Sequence, residues 1–490
     1  MATAKLTEEV ACAWPGQFGS WAERAPDTRS LSRTVRETPW RLRPPTVDDV
    51  RGVLREAARH RTPLWPVSRG FNWGYGSHLP ARNGSVILDL GALDAIGDLD
   101  RPSLSVRIEP GVTQAALHEF LRLNAPDLAF NVTGSGGGTS VLGNALERGI
   151  GYCGEKDTDL FALEVILPDG TAVGPSPGRH HRSRSHPAGL STDALFFQSN
   201  LGIVVGARLR LRVRQEAEDA VILRGPFEEV VATLKGAYDA RLISSPTHLA
   251  EPGRSRRLGQ GLLRHLWRRE PTPQEVARIF PEQDSYNGLV PIYGRRSVVN
   301  AAWRELRAGA AAGVKLQRVN AGTLAQAAKW LERVGARHKA ARLRAYRPVL
   351  AFMWGEPSDA GLTSLGAFGG NPDLSGRGAI YGNAVSAVES GEARRAEAIV
   401  RRHWAEAAFT WIILDGRCMI TVYTLHFDDA DGPAAHAANR AIVGDLRAAS
   451  LPQYRLDIGT PGAPGAEAIT DRLKAAFDPL GLVAPGRYES

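Results

Sequence analysis

The chain has 490 residues, of which 43% are hydrophobic and 23% charged, with a formal net charge of +8. This is the composition of a soluble globular protein with room for about two or three full hydrophobic cores, and it excludes a long disordered chain. No apolar run is long enough to span a bilayer, the Met1–Glu9 tract lacks the charged-then-apolar order of a signal peptide, and Cys12, Cys153 and Cys418 form no CxxC pair, so a cytoplasmic enzyme with neither a metal site nor a disulfide scaffold is expected.

The positive charge comes largely from arginine, clustered at Arg254-Ser-Arg-Arg, Arg264-His-Leu-Trp-Arg-Arg and Arg179-His-His-Arg-Ser-Arg. Basic clusters can bind nucleic acid, but no recognition motif accompanies these, and solvated faces explain them better.

In chain order, residues 46 to 60 read as an amphipathic helix capped by Thr46, with Val50, Val53, Leu54 and Ala57 on one face. Leu64 to Val67 comes next as a short strand. It leads into Ser68-Arg-Gly-Phe-Asn-Trp-Gly-Tyr-Gly76, a glycine-rich loop in which Gly70, Gly74 and Gly76 would let backbone amides reach a phosphate. Ser85 to Leu90 and Ser103 to Ile108 read as strands, and Thr113 can cap a helix from Gln114 to Leu123.

A second glycine-rich run, Gly134 to Gly151, has the sequence GSGGGTSVLGNALERGIG. It is too poor in side chains to pack a core, so its use is close approach of backbone amides to a ligand, usually an anionic one. A flexible linker is the plain alternative, but linkers seldom switch at once to an ordered apolar pattern such as Val141-Leu142, between the strand-like Val106 to Ile108 and Leu163 to Leu167. Neither the strand nor the helix demanded by a GxGxxG dinucleotide fingerprint is evident, and no Walker lysine is present. Two glycine loops on one framework suggest an extended ligand bridging both. Further on, Phe409 to Leu414 and Arg417 to Phe427 read as strands joined by a hairpin at Asp415-Gly416, and Gly432-Pro433 opens a helical pattern through Arg447.

The ordered series PVSRGFNWGYG, SVILDL, EPGVT, GGGTSVLGNALERGIGY, LEVILPDG and FFQSNLGIVV, with FDPLGLVAPGRY at the end, closely resembles the vanillyl-alcohol oxidase and para-cresol methylhydroxylase family of FAD-linked oxidoreductases. The match is dense over residues 60 to 213, sparse through the middle, and returns from about residue 409 onward. The resemblance implies an α+β, two-domain flavoprotein. Its FAD-binding domain, of the kind found in para-cresol methylhydroxylase, would comprise residues 1–213 completed by 453–490, and a cap with a large antiparallel sheet would occupy 214–452.

It also implies a site. The flavin pyrophosphate would lie against Ser68, Arg69, Gly70, Phe71, Asn72 and Gly74. The isoalloxazine would lie near Ser135, Gly136, Gly137, Gly138, Ser140 and Asn144, with Arg148, Gly149 and Tyr152 beside it. Gly202, Ile203 and Val204 would meet the adenine side, and Arg487 belongs to the C-terminal signature. Tight turns are the plain alternative use of each glycine. Tyr75, Tyr454 and Arg455 fall at positions implied to be catalytic: two phenol hydroxyls and a guanidinium converging on one oxygen would stabilise a phenolate. The activity implied is hydride removal from the carbon alpha to a para-substituted phenol or a related aromatic substrate, through a quinone methide. Oxygen or another acceptor would reoxidise the cofactor, and a homodimer is compatible with this reading.

Two departures from the family pattern matter. Family oxidases carry Pro-Asp before the triple glycine where this chain has Gly134-Ser135, and Ser135 cannot serve as an ionised carboxylate. Histidines that tether the flavin in many relatives are replaced by Ile420 or Thr421 and by Phe71, so the FAD is expected to be non-covalent. Tyr423 and Cys418 are tethers in principle only. The rival readings are oxidative cyclisation or alcohol oxidation of another small molecule, a nucleic-acid binder suggested by charge alone, and a non-catalytic flavin or small-ligand binder that would not need Tyr75, Tyr454 and Arg455.

Overall fold

The computed structural model describes residues 18–25, 29–174, 191–281, 284–365, 371–460, 462 and 465–489. The Met1–Glu9 tract, Cys12 and the basic stretch 179–184 lie outside the described residues. Among those described, no helix is long and apolar enough to cross a membrane, and no His, Cys, Asp and Glu cluster is arranged to hold a metal ion.

A four-stranded sheet runs in the order Ala22–Arg24, Trp40–Leu42, Val86–Asp89, Leu64–Val67, the last three mutually parallel. Val86, Ile87 and Leu88 are all buried, the continuous apolar run expected of a parallel strand covered on both faces. The crossover helix Val47–His60 buries Val50, Val53, Leu54 and Ala57, and the Thr46 hydroxyl accepts the Asp49 N–H at 3.2 Å, both as the periodicity predicts. Next in the chain is an antiparallel sheet in the order Ile96–Asp100, Ser105–Ile108, Ile203–Arg210, Leu160–Ile166, Ala172–Val173. Its first strand was not expected from the sequence: Ile-Gly-Asp-Leu-Asp alternates weakly and pairs through an irregular register.

A seven-stranded antiparallel sheet holds the rest. Its order is Lys315–Val319, Ala217–Gly225, Tyr286–Gly294, Thr247–Ala250, Ala408–Ile413, Met419–Phe427, Gly378–Ser386. Successive side chains on a strand point to opposite faces. Phe409, Trp411, Ile413, Tyr423, Leu425 and Phe427 therefore join one core with the helices Phe227–Asp239, Ser390–His403 and Gly432–Ala448. The intervening residues His248, Thr410, Ile412, Ile420, Val422, Thr424, Tyr381 and Asn383 face the two glycine-rich segments across a cavity. This alternation separates the two tether positions: Ile420 faces the cavity, whereas Thr421 lies on the opposite face. Tyr423 is also on the core face, where its hydroxyl donates to Asn439 at 2.9 Å.

The end of the chain closes back on the beginning. The Leu64 N–H donates to the Leu482 carbonyl at 2.7 Å and the Ala484 N–H to the Leu64 carbonyl at 2.8 Å, forming a parallel bridge beside the first sheet. The buried Asp478 carboxylate holds this return, accepting the N–H groups of Leu482 and Val483 at 2.8 Å each and Lys474 Nζ at 2.7 Å. Asp478→Ala strips the half-buried Lys474 of its carboxylate partner, leaving it only the Asn200 and Val483 carbonyls, and frees two amides. It should lower stability by about 3 to 5 kcal/mol, the cost of breaking a buried pair from one side. A thermal melt unchanged from the parent would contradict this role.

Candidate active site

The two glycine-rich segments and the C-terminal return enclose a groove. Ser68, Arg69, Gly70, Phe71 and Asn72 form one wall, Ser140 and Asn144 the second, and Gly202, Ile203 and Val204 with Arg487 the far end. The approach of the walls depends on small residues. A Cβ on Gly143 would collide with the Ser68 side chain, and one on Gly149 with Asn144. A short helix, Val141–Leu146, opens inside the second run with Ser140 as its cap, a feature not evident in the sequence.

At Phe71, Asn72 and Asn144 the groove continues into a cleft of about 330 Å³ beneath the seven-stranded sheet. Ser135, Arg148, Gly149, Tyr75, Tyr454 and Arg455 line this cleft. Five expected cofactor residues lie elsewhere. Gly74 has φ +76° and packs on Tyr381, so its missing side chain serves a close contact between loop and sheet. Gly137 donates its N–H to Asp359 at 2.7 Å, Gly136 lies against Leu362 and Gly138 against Phe71. Tyr152 lines a neighbouring chamber, stacked on Phe352.

Tyr75, Tyr454 and Arg455 share the cleft, but their polar ends do not converge on one point. Arg455 lies over the Tyr75 ring at 4.1 Å and donates to Asn72 Oδ1 at 2.8 Å. The Tyr454 hydroxyl donates to Glu155 Oε1 at 2.9 Å, and the Asn383 amide lies close to Tyr75. Burial pushes both phenols up, more than the Arg455 charge lowers Tyr75, so both remain protonated donors at neutral pH.

Several residues here were not assigned from sequence. Asn383 accepts the Tyr454 and Arg455 N–H groups at 2.6 and 3.1 Å and donates to the Arg455 carbonyl, fixing the pair to the sheet. A polar residue inside the apolar strand Gly378–Ser386 was its signal. Glu147 accepts from Arg487 and from the Tyr488 hydroxyl at 2.7 Å each and lies 3.8 Å from Arg455. Burial alone would raise its carboxyl, but the two guanidiniums outweigh that and hold it below the usual range. His248, Tyr381 and Arg254 complete the cleft, and nothing in their local sequence marked them.

The groove fits FAD. Arg69 Nε and Asn144 Oδ1 along it, and Ser135 Oγ and Arg455 Nε in the adjoining cleft, are buried without a protein hydrogen-bond partner, as expected where a polar ligand supplies the missing half. The FAD binding domain model matches residues 40–174, and the protein is an FAD-dependent oxidoreductase with an FAD-binding domain and a large antiparallel sheet. Over 96% of this chain and 93% of the relative, it is 28% identical to 1'-carboxy-chondrochloren decarboxylase of Chondromyces crocatus. It is 32% identical to the 4-cresol dehydrogenase [hydroxylating] flavoprotein subunit of Pseudomonas putida over 32% of each chain. The structure of 4-ethylphenol oxidase from Gulosibacter chungangensis superposes with a TM-score of 0.82 at 18% identity, covering 99% of this chain and 97% of that one. These matches bear out the resemblance of the chain to the vanillyl-alcohol oxidase and para-cresol methylhydroxylase family.

Burial pushes the His248 imidazole down to about 4, with Arg254 adding to the effect and a hydrogen bond to the Gly151 backbone opposing it. The unfolded chain binds this proton below about 6.5 and the folded one does not, so the stability is fully present above that pH and lost as pH falls towards 4. Comparing pH–stability curves for the parent and His248→Gln should reveal a difference that grows to about 3 kcal/mol by pH 4. Parallel curves would place His248 in solvent rather than in a dry cleft.

Proposed function

We propose that the protein removes a hydride from the benzylic carbon of a para-substituted phenol. The observation that carries this is Arg455, clamped by Asn383 on the seven-stranded sheet and exposing its guanidinium in the cleft beside Tyr75. At an effective dielectric near 20, a guanidinium about 4 Å from a phenolate stabilises it by about 4 kcal/mol, enough to bring a phenol pKa from about 10 towards neutrality. Protonated Tyr75 and Tyr381 are further donors on the same cleft. The phenolate pushes electron density to its para carbon, and loss of hydride leaves a quinone methide. Bound FAD supplies the two-electron acceptor for that hydride. The named activities of the 4-ethylphenol oxidase and the 4-cresol dehydrogenase subunit support this substrate class.

One relative favours a second fate for the quinone methide, in place of water addition. It is a decarboxylase named for a carboxy-bearing substrate and is aligned over nearly the full chain. Among the described residues lining the cleft there is no Asp or Glu, and Ser135 stands where family oxidases carry Asp, so no lining carboxylate activates water. If the carbon next to the benzylic one bears a carboxylate, its C–C bond can break instead. That electron pair forms the alkene, carbon dioxide leaves, and the ring returns to a phenolate. Measuring carbon dioxide against hydroxylated product separates the two fates.

With Ile420 facing the cleft and Tyr423 turned into the core, the flavin is held without a covalent tether. Acid precipitation should therefore leave a colourless pellet, and a yellow pellet would overturn this.

Arg455→Met should raise the barrier to flavin reduction by about 2 to 4 kcal/mol, the scale of losing one oxyanion donor. Tyr75→Phe should cost about 1 to 2 kcal/mol, the scale of a hydrogen bond to a charged group, since the Tyr454 hydroxyl is held by Glu155. The readout is the anaerobic reductive half-reaction with FAD still bound. Parent rates in both variants would contradict the phenolate site.

A further inference from the structure

A second chamber, of about 390 Å³, adjoins the flavin cleft, and Arg254, His248 and Tyr381 line both. Arg254 belongs to a basic cluster that the sequence suggests is a solvated face, yet it enters this seam from the first turn of the helix Pro252–Trp267. Its guanidinium has no side-chain hydrogen bond or ion pair among the described residues. The carboxylate whose charge acts on it, Glu251, is already paired with Arg257 and Arg401.

The surroundings repeat the imbalance. Arg224, Arg257 and Arg342 also line the chamber, with no Asp or Glu among the described lining residues of either cavity. A cation taken out of water without a partner is expensive, so a fold that keeps one at the junction of two cavities has a ligand anion to offset it. His248 Nε2 is buried there without a partner, and Tyr152 and Tyr381 line the same space. A planar guanidinium fork with neighbouring hydroxyl donors matches the two oxygens of a carboxylate. Beyond the seam the wall turns apolar at Leu324, Leu343, Val349 and Leu350.

We propose that Arg254 is a carboxylate anchor and that the substrate of the flavin cleft is an aromatic acid, its ring in the cleft, its carboxylate at the seam and any further apolar substituent in the second chamber. This rests on the reading of the cleft as an aromatic substrate site and narrows its substrate class.

The test uses the holoenzyme and two probes without a phenol, 3-phenylpropanoate and 3-phenylpropanamide, with binding followed by perturbation of the flavin absorbance. The acid should bind the parent about tenfold or more tighter than the amide, the range of a charge-assisted hydrogen bond. Arg254→Gln should bring the two within about twofold by weakening the acid alone, and Arg254→Lys, which keeps the charge but not the fork, should fall between. A parent that binds acid and amide alike overturns the proposal without any variant. So does a variant that keeps the parent's preference. Neither probe carries a hydroxyl, so these outcomes are independent of the phenol assignment, which fails separately if phenols do not reduce the flavin.

Discussion

One buried carboxylate, Glu147, joins three stretches that are distant in sequence. It sits on the second glycine-rich run and receives Arg487 and Tyr488 from the chain's end, with Arg455 3.8 Å away and Gln198 donating at 3.4 Å. A lone carboxylate in that position would be neutralised by protonation; two guanidiniums keep it ionised, and it keeps them placed. Arg487 lies over the Trp65 ring at the groove, and Arg455 over Tyr75 at the cleft. The cofactor groove and the chemistry that uses it are thus registered to each other by the same ionic knot.

The strand period supplies the other half. Every second residue of the seven-stranded sheet packs on helices, and that core lets the alternate residues face a cavity with polar groups unpaired. Asn383 shows the coupling most directly: its neighbour Gly382 has no Cβ because Tyr423 of the adjacent strand occupies that space, and the opposite pleat aims Asn383 at the Tyr454–Arg455 backbone. The arginines on the same cavities raise the positive potential there, which favours an anionic ligand.

Much of this was legible in the chain. The Thr46 and Thr113 caps, the hairpin around Asp415-Gly416 and the groove walls at Ser68–Asn72 and Asn144 come from local rules of capping, turn chemistry and glycine conformation. Gly74, Gly136 and Gly137 were expected beside the cofactor and pack against Tyr381, Leu362 and Asp359, because a glycine that admits a neighbouring side chain looks the same in sequence as one that admits a phosphate. Tyr454 was expected with its hydroxyl directed to substrate, but Glu155, nearly three hundred residues away, accepts it instead. His248, Tyr381 and Arg254 were invisible for the same reason: each sits on an ordinary strand or helix, and only the pairing order of seven strands gathers them on one cavity.

The claim that the cleft oxidises a benzylic carbon is tested most directly by isotope substitution. Holoenzyme is mixed without oxygen with 3-(4-hydroxyphenyl)propanoate and with the same compound carrying deuterium at the benzylic carbon, and bleaching of the flavin is monitored in time. The account predicts reduction that slows several-fold with deuterium, because that C–H bond breaks in the step observed. Flavin that stays oxidised with this and other para-alkylphenols, or that bleaches at the same rate with the deuterated compound while bond cleavage limits reduction, would contradict it.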